Sequence, residues 1–130
     1  DNLYLLGRFS LEAMPEFFKK ADAMLVSLKD EPTFALTIPA KVQAYMASQK
    51  IILGMLNGEG KDLINESQSG FAVNSKDYKG LVKSALKIKG LSKEDRNKIE
   101  KSSLEYYNNN FSKHTLLSDL ENILKAIGVE

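Results

Sequence analysis

Short apolar runs alternate with longer segments of helical periodicity along this chain. Four runs have the length and composition of buried β-strands: Leu3–Leu6, Ala23–Leu28, Ile51–Leu56 and Gly70–Val73. The second is apolar at nearly every position, which is typical of a parallel strand covered on both faces. Strands that alternate with helices predict an α/β fold, because parallel strands are joined by crossover helices. The expected architecture is a Rossmann-like parallel sheet of about four strands flanked by helices.

Helical periodicity fills the intervals between these runs. In Leu11–Ala21 apolar residues recur at spacings of three and four, and Ser10 precedes them as a predicted N-cap. Pro39 is expected at the first position of a second helix that runs through Met46, because proline is tolerated there. A short helix is predicted over Lys61–Ser67. After the last strand only helices are predicted: Asp77–Ile88, Ser92–Asn108 with a capping-box-like start, and Ser112–Ile127 with an apolar stripe.

Composition narrows the classes of function. The chain has 130 residues, 18 Lys and Arg against 17 Asp and Glu, and a formal net charge of +1. This balance offers no global electrostatic attraction for nucleic acid, so no nucleic-acid partner is expected. Cysteine is absent and His114 is the only histidine, which excludes disulfides, thiolate chemistry and a histidine metal cluster. The apolar runs are too short for a transmembrane helix.

Length and topology together predict one domain over residues 1–130, since the chain shows no repeat and no linker. A doubly wound sheet has the strand order 3-2-1-4-5-6, and this chain is expected to supply the last four strands. Leu3–Leu6 would then lack the strands that separate it from Ala23–Leu28. The favoured outcome is that Leu3–Leu6 pairs beside Ala23–Leu28 through a right-handed crossover. In the alternative, the exposed edge of Ala23–Leu28 pairs with a second copy and the chain forms a homodimer.

Ligands of open parallel sheets bind at the carboxyl ends of the strands, where four loops of this chain are expected. The most informative one leads into the helix that starts at Pro39. The backbone N–H groups of Ala40, Lys41 and Val42 would lie at the positive end of that helix, where phosphate binds, and the Lys41 ammonium would add a charge. The alternative is that Lys41 is an ordinary solvated helix lysine.

Two further loops contain candidate binding residues. Gly58 and Gly60 flank Glu59 directly after the third strand, so the backbone can approach a ligand closely while the carboxylate accepts hydrogen bonds from hydroxyl groups. An ordinary strand-to-helix turn explains the same residues, with Glu59 favourable near a helix N-terminus. Gly7 and Arg8 follow the first strand, and Arg8 either faces a ligand or is solvated. No catalytic triad, Walker loop or GxGxxG motif is present, so no catalytic residue is assigned.

The order and spacing of several segments resemble the C-terminal domain of GT-B fold glycosyltransferases, over essentially the whole chain. The nearest branch is similar to the bacterial family 4, glycogen-synthase-like enzymes that build O-antigen, lipopolysaccharide and capsule sugars. The segments that carry the resemblance are Asn2–Ser10, Met14–Pro15, Ala21–Val26, Ile38–Ala47, Asn57–Gly60 with Gly70–Phe71, and Tyr106–Tyr107 with Phe111–Ser112.

The resemblance implies a nucleotide-sugar donor, most simply a UDP-sugar, as the substrate. From it the full-length enzyme would transfer a hexosyl or N-acetylhexosaminyl group without a metal or a cofactor. It places the nucleobase near Gly7 and Arg8, the diphosphate at Ala40–Val42, and the sugar or acceptor near the Asn57–Gly60 loop. An N-terminal acceptor-binding domain, absent from this chain, would be its partner. The isolated chain would therefore be inactive. The enzyme would be cytoplasmic and would touch the inner face of the membrane only through that domain.

This chain departs from the family pattern at one place. Many relatives carry two glutamates eight positions apart for the sugar and the ribose, and the corresponding residues here are Leu36 and Ala44. Sugar recognition would then need another carboxylate, for which Glu31 is the candidate. The same departure has an alternative interpretation. The chain would then be an α/β interaction or regulatory domain that kept the fold and lost the donor site.

Overall fold

The computed structural model describes residues 2–128 and contains a parallel sheet of three strands. The strands are β1 (Met24–Ser27), β2 (Ile52–Met55) and β3 (Gly70–Val73), in the spatial order β1-β2-β3. In the register, Val26 of β1 lies beside Gly54 of β2, which lies beside Ala72 of β3. Three of the predicted strands are thus present, each within the predicted range, and the α/β class is confirmed.

Seven α-helices and a short 3-10 turn surround this sheet in the described residues. Asp77, Ser92 and Ser112 cap three of the helices, because their side chains accept hydrogen bonds from the backbone N–H groups at the start of each helix. Ser10 occupies the predicted N-cap position, directly before the 3-10 turn, but its side chain makes no capping hydrogen bond. The elements are the 3-10 turn Leu11–Ala13, α1 (Met14–Lys20), α2 (Pro32–Ala35), α3 (Ala40–Ala47), α4 (Glu59–Glu66), α5 (Tyr78–Lys89), α6 (Lys93–Asn110) and α7 (Lys113–Ala126).

The predicted strand Leu3–Leu6 is wrong. The segment is not part of the sheet, and its four side chains are 63–89% exposed. The favoured pairing of Leu3–Leu6 beside β1 is therefore wrong as well. A short apolar run has the propensity of a strand, but a strand forms only where a partner completes its hydrogen bonds. The chain after Leu3–Leu6 instead packs on α1, where the rings of Phe9 and Phe17 lie 4.6 Å apart.

The core lies on one face of the sheet. α3 and α4 cover this face, α6 packs on α3, and α1 joins them through an edge-to-face contact of Phe18 with Tyr45 of α3. α5 covers the opposite face, where Lys87 lies 4.2 Å above the ring of Phe71. The buried core side chains are Val26, Val42, Met46, Ile52, Leu56, Leu63 and Ile64. The result is a three-layer arrangement of helices, sheet and helix.

Besides Leu3–Leu6, apolar side chains are exposed on β1 and on α7. Leu25 on the α5 face of β1 is 54% exposed, because α5 packs on β2 and β3. The predicted apolar stripe of α7 is present, but α7 has no buried residue, and Leu116, Leu117, Leu120 and Ile123 are 48–60% exposed. No helix in this part of the chain is both long enough and apolar enough to cross a membrane.

The outer edge of β1 gives a testable hydrogen-exchange pattern. The N–H groups of Met24 and Leu28 donate to carbonyls of the β2 segment, and parallel pairing uses every second N–H of a strand. The N–H groups of Leu25 and Ser27 therefore face the outer edge, where no strand pairs within residues 2–128. We expect the Leu25 amide to exchange rapidly in dilute solution while the Val26 amide is protected. Protection of Leu25 that grows with protein concentration would instead indicate the homodimer.

Candidate functional site

The loops that follow the three strands meet at one edge of the sheet, as expected for the carboxyl ends of parallel strands. The Asn57 side chain joins all three of them. Its Nδ2 donates to Oδ1 of Asp30 at 2.8 Å, and its Oδ1 accepts from the backbone N–H of Ser75 at 3.0 Å. The Ser75 hydroxyl donates to the carbonyl oxygen of Leu28 at 3.1 Å. These bonds fix the β1, β2 and β3 loops relative to one another.

Lysine side chains complete this polar network. Nζ of Lys76 lies 3.0 Å from Oδ2 of Asp30, so both carboxylate oxygens of Asp30 are engaged. Lys76 itself has a positive φ of 69°, a backbone conformation that non-glycine residues adopt rarely. Nζ of Lys61 donates to Oδ1 of Asn74 at 3.0 Å and links α4 to the β3 loop. We refer to Asp30, Asn57, Ser75 and Lys76 as the edge network.

The glycine loop after β2 lies directly against the segment that enters α3. Gly58 has a φ of +66°, and a Cβ at this position would lie 2.0 Å from the carbonyl oxygen of Ala35. A Cβ on Gly60 would lie 3.1 Å from Cδ of Pro39 and 2.7 Å from Cδ1 of Leu56. Only glycine permits an approach this close. The structure therefore brings together two of the predicted site segments, Gly58–Gly60 and the start of α3.

The start of α3 differs in detail from the prediction. Pro39 is the N-cap rather than the first helical residue, and no side chain caps the helix. Ala40 and Lys41 are exposed, and helix geometry leaves their N–H groups without an intrahelical acceptor. Val42 is fully buried, and its N–H donates to the Pro39 carbonyl oxygen at 2.9 Å. Of the three predicted phosphate-binding residues, Ala40 and Lys41 have the geometry suited to a ligand.

Two of the remaining predicted site residues, Glu31 and Glu59, are exposed carboxylates. Glu31 is the exposed N-cap of α2, and it lines an open cavity of about 450 Å³ at the sheet edge together with Lys76 and Tyr78. Glu59 is the exposed first residue of α4 and lines a second cavity of about 480 Å³ toward α6. The two carboxylates are thus on different cavities.

Gly7 and Arg8 lie in the exposed segment before the 3-10 turn, and Gly7 has a φ of +82°. No hydrogen bond or ion pair among residues 2–128 joins Arg8 to the edge network or to α3. In the described residues, no hydrogen bond or ion pair therefore links the predicted nucleobase residues to the start of α3 or to the edge network beside the glycine loop.

Sequence reasoning missed the edge network and α2. A polar residue of the network lies one or two positions after each of the predicted strands Ala23–Leu28, Ile51–Leu56 and Gly70–Val73, and this repetition is a signal from which the network could have been sought. Met46 is fully buried, Tyr106 and Tyr107 pack against the core, and His114 is exposed. Burial raises the pKa of the Tyr45 phenol, which favours its neutral form.

No three acidic or histidine side chains lie close enough to hold a metal ion in the described part of the chain. No model of a known protein family matches this sequence, and searches of curated proteins and of solved structures likewise give no match.

Proposed function

We propose that this chain is the nucleotide-sugar donor-binding part of a glycosyltransferase of bacterial surface polysaccharide synthesis. The observation that supports this proposal most is the contact between the glycine loop and the segment entering α3. It holds the glycine loop next to the start of α3, where Ala40 and Lys41 are exposed. A diphosphate fits such a place, because a helix N-terminus and an ammonium group both stabilise negative charge. The resemblance to GT-B fold enzymes adds the class of donor.

Each part of the donor has a proposed binding group. The Ala40 and Lys41 N–H groups and the Lys41 ammonium bind the diphosphate. Glu59, exposed at the start of α4, accepts hydrogen bonds from sugar hydroxyls. The resemblance assigns the nucleobase to Gly7 and Arg8. The donor is a substrate, most simply a UDP-sugar, and the proposal includes no cofactor and no metal.

The departure at Leu36 and Ala44 changes how sugar and ribose are recognised. Leu36 directly follows α2 and is 79% exposed, and its side chain cannot accept a hydrogen bond from a hydroxyl group. Carboxylates elsewhere at the edge must then supply this recognition. Glu31 is the proposed group, because it lies exposed five residues before Leu36 and lines the edge cavity.

Calorimetric titration of the chain with UDP, GDP and uridine tests the proposal. We expect one of the diphosphates to bind at one site, and uridine, which lacks the phosphates, to bind far more weakly. A protein that binds neither diphosphate would contradict donor binding and favour an interaction or regulatory domain that kept the fold.

We expect these 130 residues alone to transfer no sugar. Transfer requires donor and acceptor to be held in one geometry, and every binding group proposed here serves the donor. Incubation with UDP-[14C]sugars and a panel of lipid and sugar acceptors should release no labelled product. Labelled product that depends on an added acceptor would overturn this expectation.

A further inference from the structure

We propose that Asn57 is a positioning residue for the donor site, which it holds in shape by tying the three post-strand loops together. The inference rests on the proposed function, since it concerns the same site. Asn57 immediately precedes Gly58, the residue whose backbone packs on Ala35 next to the start of α3. A displacement of Asn57 is therefore expected to move the adjacent backbone of the glycine loop, Gly58–Gly60.

The bonding of Asn57 requires an amide and no other group. Its Nδ2 donates to the Asp30 carboxylate while its Oδ1 accepts from the Ser75 N–H. A carboxylate at position 57 keeps the acceptor and loses the donor, and it also faces the negative charge of Asp30 at hydrogen-bond distance. Because Lys76 already engages the second oxygen of Asp30, the carboxylate cannot turn away without breaking that ion pair.

The same geometry predicts a rescue. In the double variant Asp30→Asn with Asn57→Asp, the amide and carboxylate exchange places. Asn at position 30 donates to the new carboxylate and offers its oxygen to Lys76, while Asp at position 57 still accepts from the Ser75 N–H. Every hydrogen bond of the edge network is then restored, with donor and acceptor exchanged between positions 30 and 57, and the ion pair of Lys76 becomes a hydrogen bond to a neutral amide oxygen.

Asn65 provides a matched control. Its side chain also forms two bonds, donating to the carbonyl oxygen of Ala72 at 3.1 Å and accepting from the Ala72 N–H at 2.9 Å. It lies on α4 and braces β3, away from the three loops. The variant Asn65→Asp therefore loses the same kind of hydrogen bond without affecting the edge network.

The experiment compares UDP affinity, melting temperature and amide exchange in the wild-type chain and these variants. We expect Asn57→Asp to bind UDP about tenfold more weakly, from the loss of one hydrogen bond to a charged group, and the double variant to recover most of the affinity. Asn65→Asp should lower the melting temperature and leave UDP affinity unchanged. The Lys61 amide, which donates to the Gly58 carbonyl oxygen, should exchange faster in Asn57→Asp alone.

Two results would overturn the inference. One is an Asn57→Asp protein that melts lower than wild type yet binds UDP equally well, which means that Asn57 only stabilises the fold. The other is a double variant with no recovered affinity. Failure of the wild-type chain to bind UDP and GDP would refute the proposed function itself and remove the site that Asn57 is proposed to position. The positioning role can be tested even if the chain binds neither nucleotide. It would be contradicted if the Lys61 amide exchanged at the same rate in Asn57→Asp as in the wild-type chain.

Discussion

Replacing Gly58 with alanine is expected to lower the free energy of unfolding by about 3–5 kcal/mol, the sum of a strained backbone conformation and an overpacked contact. Gly58 has a φ of 66° and a ψ of −146°, a region that is essentially restricted to glycine. The new Cβ would also lie 2.0 Å from the Ala35 carbonyl oxygen, which is backbone and cannot rotate away. Urea denaturation followed by circular dichroism measures the change.

Gly7→Ala is the matched control for Gly58→Ala. Gly7 also has a positive φ, 82°, but a Cβ there meets no atom within 4 Å. Its replacement should cost about 1 kcal/mol, the penalty of the left-handed backbone alone. A Gly58→Ala protein no less stable than Gly7→Ala would mean that the glycine loop does not pack on the segment entering α3.

Replacing Lys41 with alanine is expected to weaken UDP binding by about 1–3 kcal/mol, the range for hydrogen bonds to charged groups. This corresponds to a roughly five- to 150-fold higher Kd. Lys41 is exposed on the first turn of α3, so the melting temperature should stay nearly unchanged. Titration calorimetry and differential scanning calorimetry on the same preparation provide the two measurements.

Lys79→Ala is the control for Lys41→Ala. Lys79 is also the exposed second residue of a helix, α5, and α5 starts at the same edge of the sheet. If the site is at α3, UDP affinity should fall only in Lys41→Ala. Equal losses in both variants would show that the lysines act through the overall charge of this edge and not through a defined diphosphate site.

The elements that sequence patterns predicted well are those whose signals are local. β2 and β3 are short apolar runs between turn residues, and Ser92 and Ser112 cap their helices as their positions suggested. Leu3–Leu6 has the same kind of signal as β2 but has no partner strand in the described residues, and its conformation depends on that partner. Helix α2 was missed because Pro32–Ala35 is a single turn without periodicity.

The same distinction between local signals and long-range contacts applies to the candidate site. The start of α3 and the glycine loop were predicted from proline and glycine, each of which favours a particular local backbone. The edge network could not be predicted in the same way, because Asp30, Asn57 and Lys76 are separated by 27 and 46 residues from their partners. Such pairs are set by strand order and register, which no local pattern specifies. The contact of Gly58 with Ala35 depends on the same long-range geometry.

We propose that a nucleoside diphosphate binds where the glycine loop meets the start of α3. Amide chemical shifts of the 15N-labelled chain, recorded during a titration with UDP, test it residue by residue. We predict saturable shifts at Ala40 and Lys41 and at Gly58–Gly60, with the amides of α7 unmoved. Shifts confined to other parts of the chain, or no shifts at millimolar UDP, would contradict binding of the diphosphate at this site.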